Sequence, residues 1–190
     1  MKEKIAKIIR TITIPPIEVL VMLLILYRVK GVEFGDKGNL MMAVLFLTVI
    51  PICSYPLASR KKKKEDNRNA QRNMAFVFNF FSYLAAMLIG YYMSCPKMLQ
   101  WILNDYFLSV MLLSIINKVF KKRASGHACS CTYPYLVLSY YFGGAVAFIC
   151  LLLYLAECWA SIELKRHTIK EFLEGTLVAW LVFAGTVWLL

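Results

Sequence analysis

The sequence predicts an all-α, polytopic membrane helix bundle of six to seven transmembrane helices. Three observations carry that expectation. Hydrophobic residues make up 60% of the 190-residue chain, and its mean hydropathy is +0.61. Uncharged runs recur at 38–59, 73–96 and 124–156, and such runs are the mark of spans through a hydrocarbon core of about 30 Å. Lysine and arginine gather between these runs rather than within them. A soluble domain of this size could not cover so much apolar surface. The chain therefore reads as a single integral membrane domain over 1–190.

The first expected span covers 11–29. The basic start MKEKIAKIIR followed by an apolar stretch imitates a signal peptide. No small-x-small cleavage site follows it, so it reads as a retained helix. Pro15 and Pro16 suit the first turn of that helix better than its middle. Further spans are expected at 39–58, 74–94 and 98–117, and a last one at 171–190. The run 124–156 is too long for one crossing, because a single helix there would reach about 50 Å. Gly143-Gly144 lies near its centre, where a helical hairpin would turn. Two short helices, 126–142 and 145–161, bring the total to seven.

Charge supports the seven-span count. It places Lys2, Lys4, Lys7 and Arg10, the basic run from Arg60 to Arg72, Lys118 to Arg123, and Lys165, Arg166 and Lys170 on one side. The other side keeps only Arg28, Lys30, Lys37 and Lys97. Excess lysine and arginine marks the cytoplasmic face, so the N-terminus and these loops are expected there. The net charge of +11 then reflects span anchors and attraction to anionic headgroups, and no nucleic-acid partner is implied. The partners expected are the bilayer and a lipid phosphate. The six cysteines, 53, 95, 129, 131, 150 and 158, lie in or beside apolar runs and read as reduced packing residues. Cys129-Ser-Cys131 offers two thiols without a third ligand, so neither a metal nor another cofactor is expected. Glu18 and Asp105 are carboxylates inside expected spans, which by default raises a functional hypothesis such as transport. No pair of corresponding broken helices accompanies them.

The two histidines carry the chemistry. His127 sits in Arg123-Ala-Ser125-Gly126-His127, and His167 in Lys165-Arg166-His167-Thr-Ile-Lys-Glu171. The seven-span arrangement puts both on the same side. Lysine and arginine neutralise phosphate oxygens, arginine through paired hydrogen bonds. Ser125 supplies a hydroxyl, and Gly126 opens a helix whose N-terminus favours an anion. His167 and Glu171 are four apart and share a helical face. A carboxylate there can hold one ring nitrogen and leave the other to attack phosphorus. His127 can protonate the leaving oxygen.

In order and spacing these segments resemble the type 2 phosphatidic acid phosphatase superfamily of membrane lipid phosphatases. That family carries Lys-x6-Arg-Pro, then Pro-Ser-Gly-His, then Ser-Arg-x5-His-x3-Asp. Lys61 and Arg68 match the first block, with Asn69 for proline. Ala124-Ser125-Gly126-His127 matches the second, with alanine for proline. In the third, His167 matches the histidine, Glu171 stands for aspartate, and Ala160-Ser161 occupies the Ser-Arg positions. The resemblance implies a phosphatidic-acid-phosphatase-like core over about 60–190. It implies His167 as nucleophile, Glu171 as its orienting group and His127 as general acid. Lys61, Arg68, Ser125 and Gly126 would bind phosphate, with Arg72, Arg123 and Arg166 as candidates for the missing arginine. The family needs no metal.

Two functions follow. One is a membrane phosphatase acting on a lipid phosphate or a polyprenyl diphosphate. The other is an inactive relative that binds anionic lipid or a partner, motivated by Ser161 where the family has arginine. A small transporter is the third and least favoured.

Overall fold

The computed structural model describes the backbone of residues 1–59 and 64–189, and the side chains of these except 55, 57–59, 64–71 and 189. Helices account for nearly all of it, and there is no strand among the described residues. In chain order they are α1 (Lys2–Ile12), α2 (Pro15–Val29), the short α3 (Gly31–Phe34), α4 (Lys37–Val44), a π-helical turn (Leu45–Val49), α5 (Ile50–Ser59), α6 (Lys64–Tyr92), α7 (Lys97–Lys118), α8 (Gly126–Phe142), α9 (Gly144–Glu163) and α10 (Ile169–Leu189).

Among the described residues five helical runs are long and apolar enough to cross a membrane, or six if α1 and α2 count as one bent span. The expected single span 11–29 is corrected. The chain bends by 50° between α1 and α2, because Pro15 disfavours helical geometry at Ile14 and cannot donate to α1. Pro15 and Pro16 do open the following helix. The hairpin at Gly143-Gly144 is present, with both glycines at positive φ, 56° and 38°. Its first arm, α8, has 17 residues. At about 26 Å it is shorter than an average hydrocarbon core.

Helix α9 turns apolar side chains outward and a carboxylate inward. Phe148 is 61% exposed and Leu152 50%, while Glu157 is 1% exposed. Long apolar helices with carboxylates turned inward are compatible with an integral membrane protein.

Two compact units divide the chain: Met1–Met22 with Leu112–Leu190, and Leu23–Met111. In the second unit α5 packs against α6, as do α4 and the π turn. Pro51 explains the π turn. It has no N–H for the carbonyl one widened turn back, and the Ser82 hydroxyl of α6 donates to that carbonyl, at Phe46.

In the first unit α8 packs on α9 and α10, and α1 packs on α9. Two small residues set these approaches. Ala6 is fully buried in α1, on the same face as Arg10. Gly175 of α10 meets the Ser125 carbonyl at the start of α8, where an added Cβ would strike that backbone and come within 3.2 Å of the Ala128 Cβ.

Gly175→Ala is therefore expected to force α8 and α10 apart and to destabilise the first unit by about 1–3 kcal/mol. Thermal unfolding in detergent checks this, and an unchanged midpoint would contradict the packing described.

Candidate functional site

Four segments of the first unit supply the site: α1, the start of α8, the end of α9 and the start of α10. Ser125 caps α8, its hydroxyl accepting from the Ala128 N–H at 3.1 Å. That removes one unpaired amide of the first turn. The Ser125 N–H in turn donates to the Glu171 carbonyl at 2.9 Å. This bond ties the loop bearing Ser125, Gly126 and His127 to the first turn of α10, which bears Glu171.

His167 reaches the same place through the end of α9. The Arg166 N–H bonds back to the Ser161 carbonyl at 3.0 Å, and the Lys165 N–H to Ile162 at 2.9 Å. Lys165 takes a left-handed φ of 50°. This is a Schellman motif, and it reverses the chain so that His167 follows closely on Ser161.

Arg10, on α1, donates from Nη1 to the buried Ser161 hydroxyl at 2.7 Å. Arg10 and His167 are also the charged neighbours of His127. A guanidinium thus stands at the position where Ser161 replaces the arginine of the resembling motif. The sequence pointed to Arg72, Arg123 and Arg166 for that role. Arg123 is instead on the exposed flank, its Nε 3.6 Å from Glu171 Oε1. The Arg166 side chain is exposed. Arg72 belongs to α6 in the other unit, with its guanidinium 6.0 Å from the Phe76 ring centroid, a cation–π distance. Lys61 lies outside the described residues, as does the side chain of Arg68.

Glu171 has more than one task. Its Oε2 accepts from the Thr168 N–H at 3.0 Å, and the Thr168 hydroxyl accepts from the Glu171 N–H at 3.2 Å. The pair is a capping box that starts α10. The same Oε2 is 3.7 Å from His167 Nδ1, ion-pair range but longer than a hydrogen bond. The carboxylate faces Nδ1, so Nε2 is the ring nitrogen on the side away from Glu171.

Beneath the histidines lies an acidic layer that only Glu18 announced in the sequence. His127, Cys131 and Tyr135 are spaced by four along α8, so they form one ladder. His127 Nε2 is 3.8 Å from Cys131 Sγ. The Tyr135 hydroxyl hydrogen-bonds Glu18 and stands 3.0 Å from Glu157 Oε1. Glu157 closes the uncharged run 124–156, and its single charge at a span position was the available signal. Asp105, the other carboxylate flagged, is buried in α7 of the second unit.

Thr168→Ala removes half of the capping box, and its expected cost is about 1 kcal/mol, with His167 less firmly placed. A lower unfolding midpoint for Thr168→Ala, restored in Thr168→Ser, checks it.

No family model matches the chain, and searches of curated proteins and of solved structures find no match.

Proposed function

We propose that this chain is a membrane-embedded, metal-independent phosphatase that hydrolyses a lipid phosphate or polyprenyl diphosphate through a phosphohistidine. The proposal includes the resemblance to the type 2 phosphatidic acid phosphatases, a core of that kind over about 60–190, and a cytoplasmic N-terminus and site. One observation carries it: both histidines of the chain, a guanidinium from a distant helix and a serine-capped helix N-terminus gather in one unit. Groups so far apart in sequence have little reason to converge in a purely structural contact, and together they suit a phosphate.

In this reading Arg10, Ser125 and the first amides of α8 hold the phosphoryl oxygens. The His167 nitrogen turned from Glu171 attacks phosphorus, forming the N–P bond as the bond to the leaving oxygen breaks. His127 gives that oxygen a proton. Water then attacks the phosphohistidine, His127 takes the water's proton, and phosphate leaves with His167 restored. Arg10 replaces the motif arginine, so Ser161 does not by itself make the chain inactive. Apolar tails of the substrate would lie along the outward surfaces of the helices.

Phosphate release by the detergent-purified chain, with EDTA present, is the test. Phosphatidate, phosphatidylglycerophosphate and a polyprenyl diphosphate form the panel. Release from at least one is expected, abolished in His167→Ala. Arg10→Ala should lower turnover about 100-fold or more, as loss of a preorganised charge donor does, and Arg10→Lys less. Full activity in His167→Ala would defeat the mechanism. No release from wild type on any substrate would favour the inactive, anionic-lipid-binding relative.

A further inference from the structure

We infer that His127, Cys131 and Glu157 form an intramembrane binding site for a borderline-soft divalent metal ion of the zinc class. Their ligand atoms, one ring nitrogen, one sulfur and one carboxylate oxygen, all lie within 4.8 Å of one another. They form the metal-competent cluster of three found among the described residues. A tetrahedral zinc with bonds of about 2.0 Å to N and O and 2.3 Å to S needs ligand separations of about 3.3–3.6 Å. His127 Nε2 and Cys131 Sγ, at 3.8 Å, are nearly there already. Residues four apart on α8 project from one face, and Glu157 meets them from α9.

A second observation points into the same space. Glu157 Oε2 and Glu18 Oε2 are buried without a hydrogen-bond partner, and Glu157 is 1% exposed. Buried carboxylate oxygens left in this way are costly unless something fills them. The Cys131 thiol lies against both carboxyl groups. Tyr135 contacts both carboxyls with a single hydroxyl. A divalent ion would be bound by the Cys131 thiolate, the Glu157 carboxylate and the neutral His127 ring. The thiol proton, with any proton the two carboxyls share, leaves to solvent. Glu18 is linked to Glu157 through Tyr135. A sulfur, nitrogen and oxygen donor set selects zinc-like ions over magnesium or calcium.

The site stands without the phosphatase reading. Its consequence for turnover rests on that reading: an imidazole that ligates a metal cannot protonate a leaving oxygen, so the ion would inhibit by occupying His127.

The experiment uses the full chain in detergent with Co²⁺ as the spectroscopic probe. One equivalent is expected to bind with thiolate-to-cobalt absorption and the visible bands of a tetrahedral ion, and Zn²⁺ should displace it. Cys131→Ser should lose the thiolate band, and Glu157→Gln should bind at least about tenfold more weakly. Cys158→Ser, a control at a cysteine outside the cluster, should match wild type. Absence of stoichiometric cobalt binding by wild type would overturn the site, as would a thiolate band that persists in Cys131→Ser. If the chain also releases phosphate, Zn²⁺ should suppress it and EDTA restore it. Cobalt binding without phosphate release sinks the phosphatase reading alone, and release without cobalt binding sinks the metal site alone.

Discussion

The hydrogen bond from Arg10 to Ser161 is the constraint around which the first unit is arranged. An arginine side chain stays charged at any ordinary pH, and taking it partly out of water is costly unless hydrogen bonds and nearby anions compensate. Here α1 lies against α9 on its buried Ala6, and that close approach delivers the guanidinium to the end of α9. The next residues reverse through the Schellman turn and bring His167 back to the same place. The cap on α8, tied to the Glu171 carbonyl, brings His127. The nucleophile candidate is therefore positioned by a local turn, whereas the cation and the acid candidate depend on contacts between residues distant in the chain.

Charge is layered along α8. The upper layer, around His127, His167 and Arg10, is basic and suits an anion. One to two helical turns deeper, Cys131, Tyr135, Glu18 and Glu157 form an acidic layer that suits a proton or a cation. His127 belongs to both, which is why its partner decides its role. In the proposed phosphatase reaction it would donate a proton to the ester. Drawn down towards Cys131 and Glu157 it would be a metal ligand. Two opposed layers so close together attract one another and give the half-buried guanidinium a favourable field.

Much of the fold was legible in the sequence. The break at Gly143-Gly144, the helix start at Pro15 and the bounds of α7, α8 and α10 followed from hydropathy, glycine and proline. The bend before Pro15 was harder, because an apolar stretch reads the same whether straight or broken. Of the site, Ser125, Gly126, His127, His167 and Glu171 were visible because local motifs carry them. Arg10 was not, since nothing in residues 1–12 predicts that this helix docks on α9 at Ser161. The capping box of Thr168 and Glu171 was not read from the sequence, where Glu171 was placed only as the partner four residues beyond His167. The acidic layer needed a contact between α2, α8 and α9. Glu18 alone was flagged from the sequence, and Glu157 at the end of the run 124–156 was the signal passed over.

The most direct test of the account is a charge swap between Arg10 and Ser161. If what matters is a guanidinium at that point, and not the element that carries it, Arg10→Ser should lower phosphate release about 100-fold or more, and the double variant Arg10→Ser with Ser161→Arg should recover a large part of it. An inactive double variant that keeps the wild-type unfolding midpoint would contradict the account, as would full activity in Arg10→Ser alone.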